Sequence, residues 1–358
     1  MTSFKKNRVL IMTEDFSIGG AQRVVSELVK NLNQEQIELR VLCIGERKYT
    51  EIERDAEEKT QVDYLCVNNK NILKRFRKIF GYLKKYNPDV IHTHLTTQLY
   101  AVPWAIFYNK AVIITAHTKP EKAFVKKIEF LIKWAVTRNK LFIVAVSMEN
   151  FEQIKQYFGI DEQQCCCINN GIETNQFYRI THQNFTFINV ARQDENKNQR
   201  EIIRNFAKLY KENNNIRLIL LGDGPCHKML KALVGELNLE SVVSIPGAKD
   251  NVAEYYAIAD VYVQASHREA LPMSVLEAIA AGLPIIATDV GGLKDIVKCN
   301  GILIPDTNKL FDAMQKMLAL SSNDLTKMQN ESLKISKEYS SKQMACKYQT
   351  IYMKKSMR

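Results

Sequence analysis

Short apolar runs alternate with amphipathic stretches along most of the chain. In the first half, strands are predicted at Arg8–Thr13, Leu39–Ile44, Val112–Ala116 and Leu141–Val146, and a turn followed by a strand is predicted over Pro88–His94. Apolar residues at helical spacing predict helices at Ala21–Asn31, Asn71–Tyr86, Lys122–Thr137 and Met148–Phe158, the last capped by Ser147. Strands that alternate with helices in this way predict a parallel sheet with helices on both faces.

The same alternation restarts after Thr174–Asn184, a segment without a hydrophobic period. Strands are predicted at Phe185–Val190, Arg217–Leu221, Val242–Ile245, Asp260–Ser266 and Pro284–Thr288. Helices are predicted at Glu201–Lys211, His227–Leu237, near Val252–Ile258 and in the tail Leu325–Met357. Two α/β units in succession predict two similar doubly wound domains facing a cleft, at 1–173 and 185–338, with 174–184 as linker and 339–358 as a final helix.

Two glutamates, Glu269 and Glu277, flank a predicted helix start in the second half. Pro272 suits the first helical position because its ring fixes φ and it has no backbone N–H to leave unpaired. Glu269 then lies in the loop before the helix, and Glu277 lies about two turns inside it. Because the helix is otherwise apolar, we expect Glu277 to be buried and to need partners, such as the two hydroxyls of a ribose.

Cations and glycines follow the neighbouring predicted strands. The residues concerned are Arg192, Lys197, Gly222, Gly224 and Lys249. The carboxyl ends of parallel strands lie on one edge of a sheet, so these residues should meet the two glutamates there. Cations suit phosphates, glycines allow close backbone approach, and acids suit hydroxyls. Each residue alone is more often an ordinary surface residue, whereas the set together favours a diphosphate site.

Two further features leave alternatives open. Gly19 and Gly20 precede a helix, which suits either an anion or a simple tight turn. Cys165, Cys166 and Cys167 suit a short buried strand better than a metal site, because no second Cys or His pair has ligand spacing.

Composition is that of an ordinary globular protein, with 46% hydrophobic and 25% charged residues. The apolar run Val9–Met12 is too short for a signal peptide, and no apolar stretch approaches the roughly 18 residues of a membrane span. We therefore expect a cytoplasmic location, with the eight cysteines reduced.

The positive charge is concentrated in one segment. Residues 68–140 contain 15 Lys and Arg against 3 Asp and Glu, a net charge of +12 for the segment. The whole chain has a net charge of +11, so the rest of the chain is close to neutral. This excess predicts a basic surface, or simply solvated helix faces without a partner.

These motifs together resemble the family 4 glycosyltransferases, which are retaining enzymes of the GT-B fold. The resemblance runs over nearly the whole chain, and its most specific part is the Glu269/Glu277 pair with the following Gly282–Gly292 strand and turn. Further matches are Gly19–Val25, Asn170-Gly171, Ala191–Gln199 and Gly222–Pro225. The sequence departs from the family at Ala191 and Ala270, where glycine is common. The fold implies two Rossmann-like domains and a C-terminal helix that crosses back to the first.

The resemblance also implies roles for individual residues. Arg192 and Lys197 would hold the diphosphate, and Glu269 would lie beside the transferred sugar. Glu277 would bind the ribose, with Gly222, Gly224 and Lys249 near the nucleotide. His117 would face the donor sugar. The remaining donor-binding positions are Gly19, Gly20, Leu271, Pro272, Met273 and Ser274.

The reaction implied is metal-independent transfer from a nucleoside-diphosphate sugar, expected to be UDP-linked, without a cofactor. The acceptor expected is a lipid-linked sugar or oligosaccharide in bacterial surface-polysaccharide synthesis, such as lipopolysaccharide or capsule, reached from the inner face of the membrane through segment 68–140. A nucleotide-sugar epimerase of the same fold or a non-catalytic nucleotide-sugar-binding protein remain alternatives. Nucleic acid is not an expected partner, because the basic helices carry no recognition motif.

Overall fold

The computed structural model describes residues 6–67 and 72–356, which form two compact units. The first unit comprises Met1–Gly171 together with Ser341–Arg358, and the second comprises Ile172–Ser340. The C-terminal helix therefore returns to the first unit. The beginning of the basic segment, the first residue of the predicted helix Asn71–Tyr86 and the last residue of the predicted helical tail lie outside the described residues.

The described part of the first unit contains a parallel sheet in the order β3-β2-β1-β4-β5-β6-β7. Its strands are β1 Asn7–Thr13, β2 Ile37–Cys43, β3 Gln61–Tyr64, β4 Val90–His94, β5 Ala111–Ala116, β6 Leu141–Ala145 and β7 Cys165–Cys167. Its helices before the crossing are α1 Gly20–Asn31, α2 Glu51–Glu57, α3 Ile72–Tyr86, α4 Gln98–Phe107, α5 Pro120–Ala123, α6 Glu129–Thr137 and α7 Met148–Phe158. The three cysteines form the predicted short strand at the edge of this sheet.

The second unit repeats the design with a parallel sheet in the order β10-β9-β8-β11-β12-β13. Its strands are β8 Phe185–Val190, β9 Ile216–Leu221, β10 Val243–Gly247, β11 Val261–Gln264, β12 Ile285–Thr288 and β13 Gly301–Ile304. Its helices are α8 Gln199–Glu212, α9 His227–Glu236, α10 Val252–Ala257, α11 Met273–Ala280, α12 Leu293–Ile296, α13 Leu310–Leu318 and α14 Ser322–Ser336. The last helix of the described chain is α15 Ser341–Ser356, in the first unit.

Strand order reverses at one point in each sheet, between β1 and β4 and between β8 and β11. Loops that leave the carboxyl ends of two such strands diverge to opposite faces and open a crevice, where open α/β sheets bind ligands. In the second unit those loops carry Lys197 and Glu269. In the first unit, the Gly19-Gly20 pair ends the loop after β1, and His94 is the last residue of β4.

The predicted helix Lys122–Thr137 is wrong as one continuous helix, because the chain is extended at Phe124 and Val125, between α5 and a 3₁₀ turn at Lys126–Ile128 that leads into α6. Phe124 has φ −106° and ψ 140°, which is strand-like backbone. Its side chain is 4% exposed and meets the Phe158 ring edge-on at 4.7 Å. The helix is interrupted here because the extended backbone turns the Phe124 ring into the core.

Two other helix boundaries differ from expectation. Pro272 is the N-cap of α11, with φ −72° and ψ 129°, and not its first helical residue. The tail is helical but divided, since Ser340 is extended between a 3₁₀ turn at Lys337–Tyr339 and α15. This extended residue pairs with Ile172 in an isolated parallel bridge.

Segment 174–184, expected to be a linker, packs on the second unit. The backbone N–H of Ile180 donates to the carbonyl of Ala257 at 3.0 Å. Arg179 approaches Asp260 at 3.4 Å. The Phe177 ring is 9% exposed. These contacts explain why the segment is included in the second compact unit.

Helix α15 is fixed to the first sheet by buried polar contacts. The hydroxyl of Tyr352 lies 2.7 Å from Nδ1 of His92, and Oγ1 of Thr115 lies 2.7 Å from Nε2. The Tyr348 hydroxyl lies 2.8 Å from the same Thr115 oxygen. All four side chains are at most 3% exposed. Burial lowers the pKa of His92 to about 3, so its imidazole is neutral, with one nitrogen donating and the other accepting.

Removing the Tyr352 hydroxyl tests this anchor. Tyr352→Phe leaves a buried His92 nitrogen without its partner, which should lower the free energy of unfolding by about 1–3 kcal/mol. Tyr178→Phe is the matched control, because Tyr178 is 50% exposed and should tolerate the change. Equal urea midpoints for the two variants would contradict the anchoring role.

The neutral state of His92 also predicts a pH dependence. Its pKa is depressed in the folded chain, so its contribution to stability is complete above the unfolded pKa near 6.5 and declines as the pH falls towards 3. Between pH 7.5 and pH 5 the loss should be about 2 kcal/mol for this group. Urea unfolding at both pH values measures it, and His92→Gln should show a smaller decline. An unchanged slope in that variant would contradict the assignment.

Candidate functional site

An ion pair joins the two loops that leave the second sheet at its reversal point. Nζ of Lys197, in the loop after β8, lies 2.6 Å from Oε1 of Glu269, in the loop after β11. The side chains are only 18% and 9% exposed. The structure thus brings together a predicted phosphate-binding cation and a predicted sugar-binding carboxylate.

Two hydrogen bonds of Asn196, one through its carbonyl and one through its side-chain amide, hold these two loops in register. The N–H of His267 donates to the carbonyl of Asn196 at 2.8 Å, and Nδ2 of Asn196 donates to the carbonyl of Arg268 at 2.9 Å. Each contact involves a residue next to one partner of the ion pair. The pair is therefore positioned by hydrogen bonds of its neighbouring residues as well as by its charges.

Three glycines allow other loops to approach closely. A Cβ on Gly222 would lie 2.0 Å from the carbonyl oxygen of Ala191, and one on Gly224 would lie 2.4 Å from that of Gln193. Gly291 has φ +62°, and a Cβ there would lie 2.3 Å from the carbonyl oxygen of Glu269. Side chains at these positions would push apart the loops that carry the ion pair.

Helix α11 begins beside this pair and places Glu277 in the interior. Leu271 and Met273 are buried, whereas Pro272 and Ser274 are partly exposed at the helix start. Glu277 is 7% exposed, as expected, and its Oε2 accepts from the Tyr256 hydroxyl at 3.1 Å. The helix N-terminus offers backbone N–H groups and a partial positive charge to an anion.

The alanines that replace the family's common glycines fit this backbone. Neither Ala191 nor Ala270 adopts a positive φ. The carbonyl of Ala270 accepts from the N–H of Gly292 at 2.6 Å, which ties the loop to the turn after β12.

Two predicted cations lie further out. The Arg192 side chain is 71% exposed, and its Nε is 3.7 Å from Asp194. Lys249 is exposed in the loop after β10. Both leave the same edge of the sheet as the ion pair, but neither forms a hydrogen bond or ion pair with it in the described part of the chain, residues 6–67 and 72–356.

In the first unit, His117 follows β5 and pairs with a histidine that sequence reasoning did not single out for the site. Nδ1 of His94 lies 2.8 Å from Nε2 of His117. Burial lowers the pKa of His117 to about 4 and that of His94 well below its usual range. Both rings are neutral near pH 7, so one of the two facing nitrogens donates to the other.

A cavity of about 320 Å³ adjoins His117 within the first unit. Its other lining residues are Leu95, Thr96, Thr115, Thr118, Lys122, Ala123, Phe124 and Val125. Leu95 has φ +56°, a left-handed conformation that costs a residue with a Cβ roughly 1–2 kcal/mol. Such strain is typical of functional sites. The cavity offers hydroxyls, an imidazole and an ammonium group beside apolar walls.

Gly19 and Gly20 lie at the start of α1, on the same sheet edge as His117. Gly19 is the N-cap, in extended backbone with no side-chain cap. The nearby Asp15 carboxylate accepts from the N–H and the hydroxyl of Ser17, at 3.0 and 2.7 Å. The loop is therefore ordered by its own side chains.

The structure adds three site residues that sequence reasoning did not assign. Gln264, Tyr262 and Tyr256 are fully buried and lie between Glu269 and Glu277. A signal existed for Gln264, because a glutamine inside the apolar strand Val261–Gln264 has to find partners. No such signal existed for Tyr262 or Tyr256. In the sequence, a tyrosine whose hydroxyl contacts a site residue looks the same as a tyrosine that only packs in the core.

Neither a metal site nor a membrane helix is found in the described residues. No cluster of three or more His, Cys, Asp or Glu there is arranged to hold a metal ion. No helix within the same ranges is both long and apolar enough to span a membrane.

Two family models match consecutive parts of the chain. Residues 18–176 match "Glycosyltransferase Family 4", and residues 172–336 match "Glycosyl transferases group 1". These two ranges correspond to the two α/β units.

Individual relatives and a solved structure show the same likeness. The chain is 28% identical over 243 residues to the uncharacterized glycosyltransferase MJ1059 of Methanocaldococcus jannaschii, covering 61% of this chain and only 60% of that protein. It is 25% identical over 337 residues to the Escherichia coli UDP-Gal:alpha-D-GlcNAc-diphosphoundecaprenol alpha-1,3-galactosyltransferase, covering 84% and 85% of the two chains.

The crystal structure of Anabaena Alr3699/HepE in complex with UDP and glucose superposes with a TM-score of 0.80 at 17% identity, over 96% of this chain and 98% of that one. This likeness concerns the fold, in which each unit has a parallel, Rossmann-like sheet. Together with the two family models, it shows that the chain is a family 4 glycosyltransferase with the GT-B fold.

Proposed function

We propose that the chain transfers a sugar from a UDP-sugar, with retention of anomeric configuration, to a hydroxyl of a lipid-linked or oligosaccharide acceptor in bacterial polysaccharide synthesis. The observation that carries this proposal is the Lys197–Glu269 ion pair at the reversal point of the second sheet, beside the start of α11. That place combines a cation, a carboxylate and a helix N-terminus. A sugar diphosphate needs all three.

Stabilisation of the leaving group falls to Arg192, Lys197 and the N-terminus of α11. Cleavage of the sugar–phosphate bond puts charge on the departing diphosphate, and groups already aimed at that charge lower the barrier. No metal is required in this scheme. Arg192 is 71% exposed and so has room to reach a bound phosphate.

The two carboxylates take opposite ends of the donor. Glu277 binds the ribose hydroxyls, and its burial beside Tyr256 makes it rigid. Glu269 orients the sugar, with Lys197 balancing its charge. The acceptor hydroxyl then attacks the face that the diphosphate leaves, and a diphosphate oxygen takes the proton.

The cavity beside His117 is the proposed place for acceptor groups in the first unit. Its threonine hydroxyls and Lys122 suit a sugar, and its apolar wall suits a ring face. Because His117 has a pKa of about 4, it acts as a neutral hydrogen-bonding group and not as a cation near pH 7.

The named relatives support the choice of substrates. The E. coli relative is named for UDP-Gal and a diphosphoundecaprenol-linked acceptor, and the Anabaena structure contains UDP and glucose. We extend these classes to this chain, without assigning a particular sugar or linkage.

The basic segment is the proposed contact with an anionic membrane surface on the cytoplasmic side. Lys126, Lys127 and Lys133 are exposed around α6. Among them, Phe130 exposes 85% of its surface, and Phe107 at the end of α4 exposes 80%. Lysines attract anionic headgroups, and exposed rings can enter the interface between headgroups and acyl chains.

Substitutions at the phosphate and ribose positions test the function. Arg192→Ala and Glu277→Ala should each lower the rate of UDP release from UDP-sugars by about 10²–10³-fold, because the first removes a cation that offsets charge on the diphosphate and the second removes the carboxylate that holds the ribose. The assay uses a panel of UDP-sugars with lipid-linked acceptors.

Arg200→Ala is the matched control, since Arg200 is an exposed arginine on the neighbouring helix α8. All three variants should keep the thermal unfolding midpoint of the wild type to within a few degrees. Full turnover by Arg192→Ala or Glu277→Ala would overturn the assignment of that residue. UDP-sugar consumption without transfer to an acceptor would favour the epimerase alternative.

Charge reversal tests the membrane contact. Lys126→Glu combined with Lys127→Glu should weaken sedimentation with phosphatidylglycerol-containing vesicles by at least about tenfold at low salt, because each cation near such a surface contributes on the order of 1 kcal/mol. Lys208→Glu combined with Lys316→Glu is the control, on exposed positions of the second unit. Equal binding by both double variants, or no binding by the wild type at low salt, would contradict this contact.

A further inference from the structure

A series of polar contacts links Glu269 to Glu277 through the interior of the second unit. Starting at Glu269, its members are Gln264, Tyr262, Ser274 and Tyr256, followed by Glu277. At its last step the Tyr256 hydroxyl lies 2.9 Å from the main-chain carbonyl of Ser274 and 3.1 Å from Oε2 of Glu277, and its one proton is shared between these two acceptors. Gln264, Tyr262 and Tyr256 are each 0% exposed. We call these three side chains and Ser274 the inner relay.

The contacts of Gln264 fix the orientation of its amide. Nε2 lies 2.6 Å from Oε1 of Glu269 and 2.6 Å from Oγ of Ser266. Oε1 lies 2.6 Å from the Tyr262 hydroxyl. With this orientation both amide hydrogens and the carbonyl are paired. The flipped amide would put its carbonyl oxygen against the carboxylate, so it is excluded.

The direction of the next bond follows from the single proton on the Tyr262 hydroxyl. Oε1 of Gln264 can only accept, so Tyr262 donates to it. Oγ of Ser274, at 2.8 Å from the same hydroxyl, must then be the donor to Tyr262. The hydroxyl proton of Ser274 is thus committed inward, and this residue can offer a ligand only its backbone N–H as a donor.

The carboxylate of Glu269 is consequently held from one side. Lys197 and Gln264 both contact Oε1, and no hydrogen bond or ion pair to Oε2 is found within residues 6–67 and 72–356. Two donors converging on one oxygen fix the rotation of the carboxylate about the Cγ–Cδ bond of Glu269. The second oxygen is left to a ligand.

We propose that Gln264 and Tyr262 are positioning residues that set the orientation of Glu269 towards the sugar of the donor. This inference rests on the proposed function. Neither side chain reaches the donor itself, because both are fully buried. They act by fixing the position of the Glu269 carboxylate relative to the sugar. A displacement of a reacting or orienting group by about 1 Å can lower the rate by 10²-fold. Tyr256 acts on Glu277 instead, at the nucleotide end.

The test separates positioning from general structural support. Gln264→Leu removes the amide with little change in volume and should lower kcat, measured as UDP release at saturating donor, by about 10–100-fold. The dissociation constant for UDP, which lacks the sugar, should stay within about twofold, whereas Tyr256→Phe should raise it. In a Glu269→Gln background the leucine substitution should have no further effect on kcat, because its target is already altered.

Tyr262→Phe is the second variant and keeps the packed ring while removing the donor to Gln264. In the wild-type background it should lower kcat as Gln264→Leu does. In the Glu269→Gln background it should cause no further loss of kcat. Tyr255→Phe is the control, since Tyr255 is a half-buried neighbour of Tyr256 on α10 and lies outside the relay. It should retain wild-type kcat and UDP affinity.

Four results would each overturn either the positioning role or the proposed function. Wild-type kcat in Tyr262→Phe, or an equal loss of kcat in both backgrounds, overturns the positioning role. A weakening of UDP binding equal to the loss of kcat also overturns it. A wild-type chain that releases no UDP from any UDP-sugar with any acceptor overturns the proposed function itself.

Discussion

The ion pair between Lys197 and Glu269 is the contact on which the candidate site depends. Its side chains are largely shielded from water, so each charge needs the other, and removing one partner of such a pair typically costs about 3–5 kcal/mol. The sheet places the pair where β8 and β11 part. Gly291 lets the turn after β12 approach the Glu269 carbonyl, and the relay beneath fixes the carboxylate. Topology, glycine placement and buried polar contacts thus act on one residue, Glu269: the glycine at its main-chain carbonyl, and Lys197 and Gln264 at its Oε1.

The first unit uses buried polar groups in a related way. Helix α15, which comes from the far end of the chain, is held through Tyr352 and Tyr348 to His92 and Thr115. The His92 ring lies 4.3 Å from that of His94, which in turn contacts His117. The C-terminal helix is therefore part of the packing that surrounds a candidate site residue. Neutral histidines suit this role, because they donate and accept without the cost of a buried charge.

Much of this fold could be predicted from sequence because parallel strands buried on both faces are nearly continuous apolar runs. Strand β8 and helix α7 have the predicted bounds. Helix α4 was missed because it is buried on most of its surface and contains Pro103, so it has no amphipathic period. The break at Phe124 was missed because only the tertiary position of its ring reveals it. Local patterns carry no information about such long-range packing.

The candidate site was predictable to a similar degree and for similar reasons. Glu277 is buried as its apolar neighbours indicated. That Lys197 pairs with Glu269, 72 residues along the chain, follows from strand order, which the sequence does not state. The inner relay was beyond prediction because its bonds join residues whose neighbours in sequence are simply apolar. Gln264 was the visible exception, a polar residue inside a buried strand.

The central claim, sugar transfer with retention of configuration, is tested most directly by determining the chemical structure of a reaction product. The chain would be incubated with UDP-sugars and lipid-linked acceptors, and the new glycosidic bond would be examined by NMR spectroscopy. The account predicts that the acceptor gains one sugar and that UDP is released. The new glycosidic bond should have the same anomeric configuration as the sugar in the donor. A product of inverted configuration would contradict the proposed same-face attack, and the absence of any product across the panel would contradict sugar transfer.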